Sequence, residues 1–313
     1  MRIVSSAAIF NPDGGRMSKQ AQGYVYLSLA MVLVGSTVIA SEIIAADLPP
    51  FTATALRFVV AFPLFLLLMR ARTTPWPRLT RRDWLLLLLQ AGAGSVGYTT
   101  LLISGLKFTS AADAGVIIGT LPVVSAAIAI VVLGERPHPS LFFAIGLAAA
   151  GVLAIVSKSG NAGPHSLSGG ALIFGAVVCE GLFILLNKRL NTPIQPLALS
   201  SLMAGFGGVI AAPFALFEPA WVEAATVPAF AAVVYYALVP TVGGFLLWYA
   251  GLAKVSGTEA SVFTALAPVS AVLLAYTILD EPLGLSQVLG IGCVLIAVLT
   301  LALPGARALP GKP

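Results

Sequence analysis

Glu180 makes the strongest demand on its surroundings. It sits near the centre of the apolar run 169–187, and an ionised carboxylate at that depth of a bilayer costs on the order of 3 kcal/mol or more unless paired or hydrated. Two readings fit it. It is a cation, amine or proton site that burial lets take up a proton during a working cycle, or it is a structural, hydrogen-bonded acid. Tyr98 and Thr99 in the run 84–104, and Trp248 and Tyr249 in the run 228–252, also place polar groups inside apolar sequence. They either line a cavity, where rings stack on an amphipathic solute and hydroxyls hold its polar end, or they pack between helices with local hydrogen bonds.

Arg57 lies seven residues after Pro50, inside the run 50–69. A cation there snorkels to the interface or pairs with an acid, and Glu42 near the end of the preceding run is the expected partner, in a structural or gating pair. Asp113 and Glu259 each follow a serine by three residues, Ser110 and Ser256. That is capping-box spacing, so all four are expected as helix caps. Glu135 and Glu281 are expected near the beginnings of the helices that follow them, the fifth and the tenth, where a carboxylate complements the positive dipole end in a structural loop role. Pro122 and Pro268 fall in the middle of the runs 109–133 and 257–279. Each removes a backbone hydrogen bond, which invites a kink, a gating hinge or an exposed carbonyl.

The elements that must position these residues follow from composition. The 313-residue chain is 58% hydrophobic and 9% charged, whereas a soluble domain carries roughly a quarter charged residues. Apolar stretches fall near 24–45, 50–69, 84–104, 109–133, 140–157, 169–187, 195–217, 228–252, 257–279 and 286–303. Each is close to the roughly 20 residues a bilayer-crossing helix needs, and none alternates as a barrel strand would. An all-α membrane protein of ten transmembrane helices is expected. The short apolar stretch Ile3 to Phe10 runs into Asn11-Pro12-Asp13-Gly14-Gly15 instead of a small-residue cleavage site, so 1–23 is expected to be a cytosolic tail, with a second tail at 304–313.

Of the 17 Lys and Arg residues, all but Lys107, Lys158 and the intrahelical Arg57 fall in segments on one side of such a bundle. The positive-inside rule then puts both termini in the cytosol. The net charge of +5 is thereby assigned to orientation in a lipid bilayer, and no nucleic-acid partner is expected. Cys179 and Cys293 lie in apolar runs without metal-site spacing and read as small packing residues. No metal and no cofactor is expected.

Shifting the sequence by about 146 residues aligns Gly35 with Gly181, Pro50 with Pro196, Gly97 with Gly243, Asp113 with Glu259, Pro122-Val123 with Pro268-Val269 and Glu135 with Glu281. A duplicated five-helix unit at 24–157 and 169–303 accounts for this. An odd unit inserts its second copy upside down, and inverted repeats are the architecture secondary transporters use to exchange inward-open and outward-open states around a midplane site.

The stretch Gly105-Leu-Lys-Phe-Thr-Ser-Ala-Ala-Asp113, with Pro122 and Leu133-Gly-Glu-Arg136 after it, resembles the signature of the EamA family in the drug/metabolite transporter superfamily. A second copy runs from Gly251 to Glu259, Pro268 and Asp280-Glu281-Pro282, and Arg57 after Pro50 also matches. The resemblance covers about 24–303. It implies ten helices, cytosolic termini, a multi-pass protein of the plasma membrane or bacterial inner membrane, and export of amino acids or other small metabolites, with proton coupling through Glu180 left open.

Other functions fit less well. An intramembrane serine protease needs a base beside its nucleophile, and the histidines, His138 and His165, lie in loops. Acids are scattered singly, unlike the clusters that hold magnesium on a diphosphate. Gly92-Ala-Gly-Ser-Val-Gly97 matches GxGxxG but lies within an apolar run, outside any strand–turn–helix unit. It is read as a surface for close helix approach, as are Gly205, Gly207, Gly208, Gly243 and Gly244. A channel-like facilitator or uniporter remains open beside the carrier.

Overall fold

The computed structural model describes residues 18–133, 142–143, 145–147, 149–151, 166–218, 226–255, 263–264 and 266–302. Every regular element among them is a helix. The chain runs through α1 (Lys19–Asp47), α2 (Pro50–Ala71), α3 (Arg81–Gln90), a π-helical segment Ala91–Gly97, α4 (Tyr98–Leu106), α5 (Ala111–Ile118) and α6 (Leu121–Leu133). It continues through α7 (Leu167–Lys188), α8 (Pro196–Ala215), α9 (Val227–Tyr236), a second π-helical segment Ala237–Gly244, α10 (Phe245–Leu252), α11 (Leu266–Ile278) and α12 (Leu285–Ala302).

Six helices are long and apolar enough to cross a bilayer: α1, α2, the continuous rod Arg81–Leu106, α7, α8 and the rod Val227–Leu252. Shorter apolar helical stretches occupy Ala111–Ser125, which takes in α5 and the start of α6, Leu266–Ile278 and Leu285–Ala297. Val59, Leu67, Val209 and Leu289 keep more than half their surface uncovered, which suits hydrocarbon and not water. This is a multi-pass membrane protein.

Local chemistry explains the helix starts. Ser18, Thr80, Ser110, Ser166 and Thr226 each accept a hydrogen bond from the backbone N–H three residues on, satisfying one of the orphan donors of a first turn. Pro50 and Pro196 open α2 and α8, positions where a missing N–H costs nothing. Asp83 ties α3 to the loop after α7. Its carboxylate accepts from the Thr80 hydroxyl at 2.9 Å, the Asn191 N–H at 3.3 Å and the Thr192 hydroxyl at 2.6 Å. Asp83→Ala is expected to cost about 2 kcal/mol, since three donors lose a charged acceptor, and a lowered thermal-unfolding midpoint in detergent would register it.

Packing partners exchange under the same 146-residue shift seen in the sequence. The helix α1 lies on α11 and on the Val227–Leu252 rod, as α7 lies on α5–α6 and on the Arg81–Leu106 rod; α2 meets α8, and α5 meets α11. Small residues make these approaches close. A Cβ on Gly35 of α1 would fall 2.6 Å from the Ser270 Cβ, 2.7 Å from the Ala267 carbonyl oxygen and 2.9 Å from the Ala271 nitrogen. On Gly207 it would fall 2.5 Å from the Phe58 ring, and on Gly94 it would enter the Phe183 ring. Gly243 and Gly244 do not act this way: nothing lies nearer than 3.7 Å to an added Cβ at either.

The central prolines sit differently from expectation. Helix α5 ends at Ile118, a turn takes Gly119 and Thr120, and α6 starts at Leu121. Pro122 is thus the second residue of a new helix, not the kink within a continuous one. Pro268 is the third residue of α11. In a first turn there is no ladder hydrogen bond for proline to remove, and ahead of Pro122 the helix is broken before the ring.

Candidate functional site

The two π-helical segments are related by the shift that relates the halves, and their causes differ. In the second, Pro240 has no N–H to give the Tyr236 carbonyl four residues earlier, and the Thr241 hydroxyl donates to that carbonyl instead, at 2.8 Å. In the first, Gly92, Gly94 and Gly97 supply low helix propensity, and the Ser95 carbonyl accepts from outside its own backbone ladder. Arg57 Nη2 donates to it at 2.7 Å and the Thr99 hydroxyl at 3.3 Å. Such widened turns recur at functional sites in helices.

Between these segments lies a cavity of about 1160 Å³, its open mouth included. Tyr98, Thr99, Glu180, Trp248 and Tyr249, brought from three separate helical elements, all line it. Arg57 joins them there. The residue as a whole is 6% exposed, and its guanidinium is stacked 4.3 Å from the Phe58 ring centroid and 4.6 Å from that of Tyr236. The rings face a cation with their negative π faces. Arg57 Nε has no hydrogen-bond partner.

The expected pair of Arg57 with Glu42 does not form. No ion pair joins them among the described residues. Arg57 turns toward Ser95 and Tyr236, whereas one buried Glu42 carboxylate oxygen has no hydrogen-bond partner and the group lies within electrostatic reach of Glu281. An α1–α2 neighbourhood read from sequence cannot foresee that the π segment offers Arg57 a free carbonyl. Glu180 lies within electrostatic reach of the Tyr98 and Tyr249 hydroxyls. Tyr98 in turn is within electrostatic reach of Arg57 as well. Among the described residues no three His, Cys, Asp or Glu side chains come together as a metal site would need.

The caps resolve unevenly. Ser110 Oγ accepts from the Asp113 N–H at 3.2 Å and caps α5. The Asp113 carboxylate accepts from Gln287 Nε2 of α12 at 2.8 Å, making it a link between helices. The acid on the α5 start is Glu281, whose two oxygens accept from the Ala111 and Ala112 N–H groups at 3.0 and 2.9 Å. It was expected beside the helix that follows it; the structure gives it to a helix of the other half. Glu218 does the same for α2, accepting from the Phe51 and Thr52 N–H groups at 2.9 and 2.6 Å and from the Thr52 hydroxyl at 2.7 Å. Ser256, Glu259, Glu135, His138 and His165 lie outside the described residues.

Sequence reasoning missed Thr37, Ser95, Phe183, Tyr236, Pro240 and Thr241 as cavity residues. For two of them a signal existed: Ser95 and Thr241 are polar residues in apolar runs that align under the 146-residue shift.

Comparison with known proteins agrees with this architecture. The profile of the EamA-like transporter family matches twice, at residues 21–157 and 167–303. The uncharacterized transporter YetK of Bacillus subtilis (strain 168) is 36% identical over 287 residues, covering 90% of this chain and 87% of that protein. A probable terminal-alkyne amino-acid exporter of Streptantibioticus cattleyicolor is 27% identical, covering 74% of this chain and 79% of its own. A crystal structure 20% identical, with a TM-score of 0.63 and coverage of 90% of this chain and 98% of that one, shares the fold. With the family profile matched in both halves and a relative this similar along nearly the whole chain, the protein belongs to the EamA-like transporter family.

Proposed function

We propose that the protein is a secondary transporter that exports small organic metabolites, amino acids foremost and aromatic or other hydrophobic ones among them, by alternating access. Ten transmembrane helices in two inverted five-helix halves, with both termini cytosolic, make up the working unit. The observation that carries this reading is the cavity between the halves, lined by Tyr98 and Thr99 from one and Glu180, Trp248 and Tyr249 from the other. It is flanked by helix irregularities at corresponding places. The π segments Ala91–Gly97 and Ala237–Gly244 and the helix starts bearing Pro122 and Pro268 supply paired points where each half can bend. The relative named as a probable amino-acid exporter supports the substrate class.

Counterflow in proteoliposomes, screening labelled amino acids and other small metabolites against empty liposomes, tests the reading. Saturable counterflow is expected for a carrier; unsaturable flux without counterflow would point to a channel. Coupling has two readings: proton antiport through Glu180, or facilitated downhill efflux without a coupling ion. Under the first, Glu180→Gln is expected to abolish stimulation by a pH gradient, measured relative to the same variant's counterflow. Full pH-driven transport in that variant would refute the proton role.

A further inference from the structure

Resting on the transporter reading above, we infer that the cavity recognises a small zwitterion through two separate charges, with Arg57 taking the carboxylate and Glu180 the ammonium of one amino acid.

Both charges line the same cavity. Neither is paired with an opposite charge among the described residues. Arg57 gives Nη2 to the Ser95 carbonyl and lays its faces on Phe58 and Tyr236, contacts that orient a guanidinium without neutralising it. Its Nε, buried and without an acceptor, is the donor left over, and a guanidinium edge is shaped for a carboxylate. Glu180 offers the opposite charge from α7, and Tyr98 stands within electrostatic reach of both. The Tyr98 hydroxyl is itself buried, with the Thr37 side chain in interaction range.

A buried charge inside a membrane is costly until compensated. A simple amine would satisfy Glu180 and leave Arg57 unpaired; a simple carboxylate would do the reverse. A molecule carrying both groups satisfies both and enters as a net-neutral species, the form in which most amino acids exist at neutral pH. The remaining walls combine apolar and aromatic side chains, Phe183, Phe245 and Trp248 among them, with the hydroxyls of Thr37, Ser95 and Thr241, and the apolar part suits a hydrophobic side chain.

The test is calorimetric binding to the full chain in lipid nanodiscs, with empty nanodiscs subtracted, using L-phenylalanine, phenethylamine, which lacks the carboxylate, and 3-phenylpropionate, which lacks the amine. The native chain is expected to bind phenylalanine about tenfold or more tightly than either analogue, since each lost charge contact forfeits at least that factor. In Arg57→Gln, phenylalanine should fall to the level of phenethylamine while phenethylamine itself binds as before. In Glu180→Gln, phenylalanine should fall to the level of 3-phenylpropionate, whose own binding persists. The retained analogue shows that each variant is folded, and Arg57→Lys should recover part of the loss. Analogue binding as tight as that of phenylalanine in the native chain overturns the inference. So does Arg57→Gln weakening phenethylamine too, which is what a purely structural arginine would do. Absence of binding by phenylalanine, leucine and methionine alongside saturable counterflow of another metabolite class overturns it and leaves the transporter reading standing; absence of counterflow across the whole panel removes that reading as well.

Discussion

Gly35→Val is expected to abolish recovery of folded, monodisperse protein, and Gly35→Ala to lower the unfolding midpoint sharply. A single Cβ at this position would stand 2.7 Å from the Ala267 carbonyl oxygen and 2.9 Å from the Ala271 nitrogen. These are backbone atoms of α11, so no rotamer change can relieve the overlap. Two helices must separate, and they are α1 and α11, which bring the two halves together beside the cavity. Overpacking costs about 1–3 kcal/mol for alanine; valine adds two further methyl groups in the same gap. Gly92→Ala is the control, because its new Cβ would find only the Ile210 Cδ1, at 3.9 Å. Fluorescence-detected size exclusion across a temperature series separates the outcomes. A Gly35→Val protein with the native elution profile and midpoint would show that α1 and α11 are not in backbone contact at this position.

Glu281→Ala is expected to have the second largest effect on stability, about 3 kcal/mol, because two backbone donors at the start of α5 lose a charged acceptor together. All eight residues of α5 are buried, so water has little access to replace it. Glu281→Gln keeps one carbonyl oxygen and should fall between the two. Glu218→Ala removes three donors' acceptor from α2, but Phe51 beside it is only half-buried, and a smaller loss is expected. Thermal midpoints in detergent should order native, Glu281→Gln and Glu281→Ala by decreasing stability, with a total spread of roughly 5 °C or more. Equal midpoints for native and Glu281→Ala would mean that water caps α5.

The apolar runs were legible because hydropathy over about 20 residues is a strong signal, and the described helices α1, α2, α7 and α8 follow it to within a few residues. Gathering of Tyr98, Thr99, Glu180, Trp248 and Tyr249 was foreshadowed by the same signal in reverse, polar atoms where only apolar ones are cheap. What stayed hidden is contact across the duplication. Arg57 was assigned to Glu42 because sequence offers neighbours along the chain, whereas Ser95 becomes an acceptor only once its helix widens. Glu281 was read beside its own following helix for the same reason. The break before Pro122 was missed because Gly119-Thr120 is no stronger a breaker than the many other glycines in these runs.

The exchange of caps between halves also sets a schedule for biosynthesis. Thr52 is made 166 residues before the carboxylate that receives its N–H, and Ala111 170 residues before its own. At about 5–20 residues per second, the first half waits roughly ten to thirty seconds in the insertion machinery with the starts of α2 and α5 open. Until then those N–H groups must turn to water or other acceptors, so Glu218 and Glu281 act as late fasteners that complete the first half only when the second has arrived.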